Sequence, residues 1–186
     1  LLNLEELLQI ELPEQSFKQL HTAINGVKRL SSLNKSLILL SKIENKQFTN
    51  NQRVQMNDLV ARRVQEFEPL LEQKKLKFLF VNSTNSFWID INEELAEILI
   101  NNLLSNAIKH NVQNGEISIE ISEDSIQICN TGAPNSLDND TIFNRFTKEN
   151  SQSYGLGLAI AQQICGRNHL EIIYLKSDIH CFKITK

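Results

Sequence analysis

The 186-residue sequence predicts an α+β fold, a two-layer α/β sandwich preceded by a helical hairpin. Three patterns lead there. From Phe17 to Ile43 apolar residues fall in steps of three and four, the period of a helix seam. At Ile117, Ile119 and Ile121 they alternate with polar residues, as on a strand with one buried face. The remaining strand-like and helix-like segments fit one sheet with its helices gathered on one side.

Leu1 to Gln9 reads as the end of a helix, stopped by a turn at Pro13. From Ser16, as N-cap, a second helix is expected to run to about Lys46. Its seam is Phe17, Leu20, Ile24, Val27, Leu30, Leu33, Leu37, Leu40 and Ile43. The short first helix covers only part of that seam, so a second copy of the hairpin is its natural partner, giving a dimeric four-helix bundle. The pattern breaks in the polar stretch Phe48 to Gln52, which divides the chain into 1–47 and 48–186. Beyond it the reading is a strand from Arg53 to Met56, a helix from Asn57 to Lys74, and strands at Leu76 to Asn82 and Phe87 to Ile91. A helix follows from about Asn92 to His110, then a hairpin of Glu116 to Ser122 with Ser125 to Cys129. The polar stretch Asn130 to Tyr154 carries only the short segment Ile142 to Phe146. A helix from Gly155 to Asn168 and strands at Leu170 to Leu175 and Cys181 to Thr185 complete the sheet.

A net charge of −3, with no block of Lys or Arg, argues against a nucleic-acid binder that relies on non-specific electrostatics. Cys129, Cys165 and Cys181 form no C-x-x-C pair and sit among apolar residues, so buried free thiols in a reducing compartment are expected. The apolar runs are far short of a membrane span, and no signal peptide is visible. A start at Leu1 instead of Met leads us to expect a fragment, with any membrane anchor or sensor lying upstream.

Two segments carry chemistry. In Asn101-Asn102-Leu103-Leu104-Ser105-Asn106-Ala107-Ile108-Lys109-His110-Asn111, Asn102 and Asn106 are four apart and share a helix face, with Lys109 one turn on. Two carboxamides and an ammonium on an otherwise apolar helix suit a metal-bound phosphate, since Mg²⁺ favours oxygen ligands and takes few from protein beside phosphates. Gly155-Leu156-Gly157-Leu158-Ala159-Ile160 is a glycine turn entering an apolar helix, which offers free backbone N–H groups to an anion. Each has a plainer reading, a solvent-facing polar stripe for the first and a tight helix start for the second. Their joint presence favours a phosphate site.

Together these segments resemble the ATP-binding domain of sensor histidine kinases, in the family shared with gyrase-type topoisomerases and heat-shock chaperones. The resemblance covers nearly the whole chain, and Leu37 to Glu44 is similar to the family's second-helix ending. It implies a catalytic core that binds ATP and Mg²⁺, with Asn106 as metal ligand and Asn102, Lys109 and His110 on phosphates or sugar. The turn Gly155, Leu156, Gly157 and Leu158 would receive phosphates. Asn130 and Gly132 would meet the adenine, and Lys148 stands where the family often has a phosphate-contacting Arg. Phe143 and Phe146 would anchor the lid. The γ-phosphoryl would pass to a histidine and then to an aspartate on a response-regulator receiver domain. The protein would be a homodimer whose cytoplasmic part this is, with the full-length chain anchored in the inner membrane.

The chain also departs from the family. Ser153 replaces a glycine usual before the lid helix, and Asn130-Thr131-Gly132 replaces the start of Asp-x-Gly-x-Gly. Hydrogen bonds to charged acceptors contribute ~1.5–3 kcal/mol and neutral ones ~1, so Asn130 weakens adenine binding about tenfold without abolishing it. Asn102 occupies the position where ATP-hydrolysing relatives place a water-activating Glu, and a carboxamide is a poor base. That favours a kinase over a hydrolase. None of His21, His110, His169 and His180 has the acidic neighbour expected of the phosphoacceptor, so no catalytic residue is assigned here and the acceptor is expected upstream. Two further rivals are a non-enzymatic module with a degenerate site and a serine kinase of the anti-sigma-factor type. The long seam from Phe17 to Ile43 speaks against the latter.

Overall fold

A computed structural model describes residues 13–82, 87–132, 141–145, 155–176 and 178–186. The chain divides into two compact units, Leu1–Ser41 and Lys42–Lys186. The expected helix over Leu1 to Gln9 lies outside the described residues, as do Phe146, Lys148 and Ser153.

Helix α1 spans Glu14–Glu44. It starts two residues before the expected cap, so Ser16 lies inside the helix and does not cap it. Pro13, which needs no N–H partner, directly precedes it and accepts from Phe17 N. Glu14 favours the positive end of the helix dipole and holds Lys18 at 2.6 Å, one turn on. Ile24, Leu40 and Ile43 of the seam are buried, whereas Leu30 is 66% and Leu37 40% exposed.

The larger unit is α+β, as the periodicity indicated. Strand β1 (Gln52–Gln55) pairs antiparallel with β3 (Trp88–Ile91). Helix α2 (Met56–Gln73) follows β1 directly. Its start is tied to the entrance of β3, with Phe87 N donating to Asn57 Oδ1 at 2.8 Å and Met56 N to Phe87 O at 2.9 Å.

The main sheet has five strands in the order β2-β4-β5-β7-β6: β2 (Lys77–Asn82), β4 (Glu116–Ile121), β5 (Ser125–Asn130), β7 (His180–Thr185) and β6 (Glu171–Lys176). β2 runs parallel to β4, and the other neighbours are antiparallel. Ile117, Ile119 and Ile121 pair with Asn130, Ile128 and Ile126 across β4 and β5 and share one buried face. Glu116 and Glu120, on the opposite face of β4, are exposed. One face of the sheet therefore meets water and the other meets the helices, the two-layer arrangement expected.

Helix α3 (Glu93–Lys109) lies between α2 and α4 (Gly157–Arg167), in contact with both. The side chain of Asn92 caps it by accepting from Leu95 N at 3.3 Å. Leu95, Leu99, Ile100, Leu103, Leu104 and Ile108 form its buried stripe. Residues 141–145, which include the described part of the short segment Ile142 to Phe146, form a turn. Among the described residues no helix is long and apolar enough to cross a membrane.

One expectation is overturned. Cys129 and Cys181 are joined in a disulfide and are not free thiols. The register of β5 against β7 sets them opposite each other, with Cα atoms 4.1 Å apart, on the same sheet face as Gln127 and Lys183. Cys165 alone is free, and burial pushes its thiol from 9.0 up to about 12.

Candidate nucleotide-binding site

The buried stripe of α3 fixes what its other side presents. With Leu99, Leu103 and Ile108 against the core, Asn101, Asn102, Ser105 and Asn106 are turned outward and half-buried or exposed. Asn102 Nδ2 donates back to Ile98 O at 2.8 Å. That bond orients the carboxamide, and Oδ1 lies 3.0 Å from where a Cβ on Gly157 would stand. The asparagine helix and the glycine turn therefore meet side by side. A side chain at position 157 would crowd the Asn102 carboxamide.

The turn itself needs its other glycine. Gly155 has φ 63°, a conformation L side chains rarely adopt. Leu156 then occupies the N-cap position of α4, where no side chain makes a capping hydrogen bond. The first N–H groups of a helix have no partner within it, and a helix start lacking a side-chain cap suits an anion.

Below α3 a hydrogen-bonded brace joins its exit to the end of β5. Thr131 Oγ1 donates to Asn111 Oδ1 at 2.8 Å and accepts from Glu116 N at 2.7 Å. Asn111 Nδ2 donates to Glu116 O at 3.1 Å, and Asn111 forms a β-bridge with Gly132. A side chain at Gly115 would strike both Asn111 Oδ1 and Thr131 Oγ1, which explains the glycine at that turn.

At the end of β5, Asn130 is 3% exposed and shares the helix-facing side of the sheet with Ile126 and Ile128. Its Nδ2 is buried without a hydrogen-bond partner among the described residues. Gly132 packs against the ring of His180, which stands opposite Asn130 in the register of β7. His180 Nδ1 lies 2.5 Å from the Tyr174 hydroxyl. Phe143 meets Phe182 edge-on at 6.2 Å, fastening the 141–145 turn to β7. In the same turn, Arg145 pairs with Glu44 at the end of α1.

Of the residues expected at the site, Asn102 is thus set against Gly157, and Asn130 and Gly132 against His180. Asn106 lies one turn beyond Asn102 on α3, half-buried. Lys109 ends that helix, in its last turn, and His110 takes the C-cap position with its N–H on Asn106 O. Leu158 is half-buried in the first turn of α4. Lys148 lies outside the described residues. Sequence reasoning did not single out Asn101, Ser105 and Glu66, which line one cleft with Asn102 between α2 and α3. The Oδ1 of Asn101 is buried and has no hydrogen-bond partner among the described residues. Asn101 precedes Asn102 directly and was legible as a polar residue, whereas the placement of Glu66 depends on how two helices pack.

The sequence and the fold are similar to those of known proteins. Residues 91–180 match the family described as histidine kinase-, DNA gyrase B- and HSP90-like ATPase. Heme sensor protein HssS of Staphylococcus epidermidis is 32% identical over 190 residues, covering 96% of this chain and 42% of that protein. The globular unit is a histidine-kinase-type ATP-binding domain. The Acinetobacter baumannii histidine kinase AdeS has the same fold, with a TM-score of 0.70 and 27% identity over 97% of this chain and 91% of that one. Histidine kinase ThkA, solved in complex with response regulator protein TrrA, has a TM-score of 0.71 at 21% identity, over 96% of this chain and 53% of that one. The chain spans less than half the length of HssS. Within this domain α3 lies in the middle of the helical layer, in contact with α2 and α4.

Proposed function

We propose that this chain is the catalytic core of a two-component sensor histidine kinase, binding Mg-ATP and passing the γ-phosphoryl to a histidine outside the four it contains. Onward transfer would reach an aspartate of a response-regulator receiver domain. The observation that carries the reading is the meeting of Asn102 with Gly157, which joins an oxygen-bearing helix face to a helix start with no side-chain cap. In this reading the Asn106 carboxamide supplies an oxygen to Mg²⁺, and Gly155 to Leu158 turn N–H groups toward phosphate. Lys109, His110 and Lys148 add charge and polar contacts. Catalysis would rest on positioning and charge neutralisation, as phosphoryl transfer needs little covalent help. The ligands fit the residues present, since oxygen donors, a glycine-lined approach and an unpartnered buried amide are what a magnesium-bound nucleotide requires.

Two copies would pair through residues 1–47 into a four-helix bundle, leaving 48–186 as the ATP-binding part. The exposure of Leu30 and Leu37 on the seam supports this. In this reading the core works in the cytoplasm.

The test is calorimetric titration with Mg-ATP, followed by γ-phosphate labelling. Magnesium-dependent binding is expected in the micromolar to millimolar range (roughly, as for enzyme ligands generally). Acid-labile, base-stable label should appear only when a helix bearing the acceptor histidine is supplied in cis or in trans. His21→Gln should leave that labelling intact. Absence of binding would favour a non-enzymatic module, and brisk phosphate release by the chain alone would favour a hydrolase.

A further inference from the structure

Cys129 and Cys181 stand on the sheet face that meets water, yet they are only 4% and 5% exposed. Ser118 lies across from Cys129 on β4, and Leu175 across from Cys181 on β6. Their Cα atoms are 4.1 Å apart, inside the ~4.5 Å that facing residues of an antiparallel pair keep at their closest. The bond therefore draws β5 and β7 together, and two separate thiols need more room than it leaves. A cytoplasmic core sits among thiols that keep cysteines reduced, where a disulfide is more often a redox sensor than a staple. Cys165, the remaining thiol, is buried and stays protonated, so it does not compete as a nucleophile.

What lies beside the bond on each strand gives it a readout. Asn130 and Thr131 follow Cys129 directly. Thr131 Oγ1 holds Asn111 Oδ1 at 2.8 Å, and Val112 N donates to Thr131 O at 3.1 Å. Both contacts clamp the exit of the helix that carries Asn106. On the other strand His180 directly precedes Cys181, and its ring packs against Gly132. We propose that Cys129 and Cys181 form a reversible redox lock: bonded, they hold the end of β5 and with it the exit of α3, and reduced, they release both. Resting on the nucleotide reading above, the released form binds Mg-ATP more weakly.

The exchange needs only a small thiol such as glutathione. Gln127 Nε2 donates to Cys129 Sγ at 3.4 Å, and a hydrogen bond to sulfur favours the thiolate, so Cys129 is the better leaving group. A glutathione thiolate attacks Cys181 Sγ, the S–S bond breaks, and Cys129 leaves and takes up a proton. A second glutathione thiolate then attacks the glutathione sulfur of the mixed disulfide, which frees Cys181 as a thiol and yields glutathione disulfide. Two electrons and two protons pass to the protein, and the reverse exchange restores the bond.

The test equilibrates the 186-residue chain in glutathione buffers from fully oxidised to fully reduced, counts thiols by alkylation and follows amide exchange. Both forms should be populated within that range, since a purely structural disulfide resists the glutathione pool. On reduction the amides of Thr131 and Val112 should exchange at least about tenfold faster, while those of Ile100 and Ile119 in the core change by less. Mg-ATP should then bind several-fold more weakly. The double variant Cys129→Ser with Cys181→Ser should no longer respond to glutathione in exchange or in binding. A bond that never forms, or that survives excess reduced glutathione, overturns the proposal. So does exchange at Thr131 and Val112 that stays unchanged, or that quickens only as much as at Ile100 and Ile119. Unchanged affinity with responsive amides overturns the link to the nucleotide. The wild-type measurements decide the matter even if the double variant folds poorly. If no nucleotide binds in either form, the nucleotide reading fails, and the lock stands or falls on the amides alone.

Discussion

The Oδ1 of Asn102 lies 3.0 Å from the point where a side chain on Gly157 would begin. Gly157→Ala therefore has to shift the carboxamide by a few tenths of an ångström, straining its bond to Ile98 O. Alanine is the better helix former by about 1 kcal/mol, so little net loss of stability is expected. Nucleotide affinity should nonetheless fall, by roughly tenfold, the equivalent of one displaced hydrogen bond. Thermal unfolding and calorimetry on the same preparation separate the two effects.

Removing the proposed metal ligand should act differently. Asn106→Ala should abolish the magnesium dependence of ATP binding while leaving stability within ~0.5 kcal/mol, as for other surface substitutions. Asn106→Asp should alter metal affinity through its added charge. Titrations with and without Mg²⁺ read this directly, and an unchanged magnesium dependence in Asn106→Ala would remove that residue from the site.

On α1, a charge at an exposed seam position should matter only to a partner. Leu30 is 66% exposed, so Leu30→Glu should leave the thermal midpoint of the globular unit unchanged. Oligomers at high concentration should be lost with it, and with Leu33→Glu. Light scattering across a concentration series is the measurement, and monomer throughout for the wild type would count against pairing.

The Cys129–Cys181 bond closes a loop of 52 residues. In the chain-entropy picture a loop of that size is worth about 4 kcal/mol at most. Reduction should lower the thermal midpoint, and thiol titration of the unfolded protein should rise from one to three groups. Three thiols before reduction would show that the bond is not formed in the preparation.

Cys165 gives a pH signature. Its thiol titrates at about 12 when folded against 9.0 without burial, so the folded state holds a proton that the unfolded state loses. The contribution is intact below pH 9.0 and declines as pH rises toward 12, by up to ~1.4 kcal/mol per unit. Cys165→Ala, compared with wild type in urea, should show a shallower alkaline loss of stability. Parallel slopes would refute the buried thiol as its source.

Local pattern carried much of this fold and stopped where contacts became distant. The three-and-four spacing of Leu95, Leu99 and Leu103 and the capping of Asn92 are properties of adjacent residues, so α3 was legible almost to its ends. The start of α1 was not, because Ser16 is a good cap whether or not the helix has already begun at Glu14. The disulfide was hidden for a different reason. Nothing near Cys129 or Cys181 states that β5 and β7 pair, let alone in which register. The same ignorance concealed His180, which reaches Gly132 only through that register. The asparagine face and the glycine turn were each visible, but their contact at Asn102 and Gly157 is a product of helix packing. The burial of Asn130, with its amide nitrogen unanswered, needed the completed sheet.

The brace of Asn111, Thr131 and Glu116 joins two parts of the chain that sequence separates by some twenty residues. It ties the exit of α3 to the end of β5 by short hydrogen bonds, so neither can shift there without breaking bonds of the other. Under the proposed function, a displacement of the asparagine helix would then be felt at the end of the sheet.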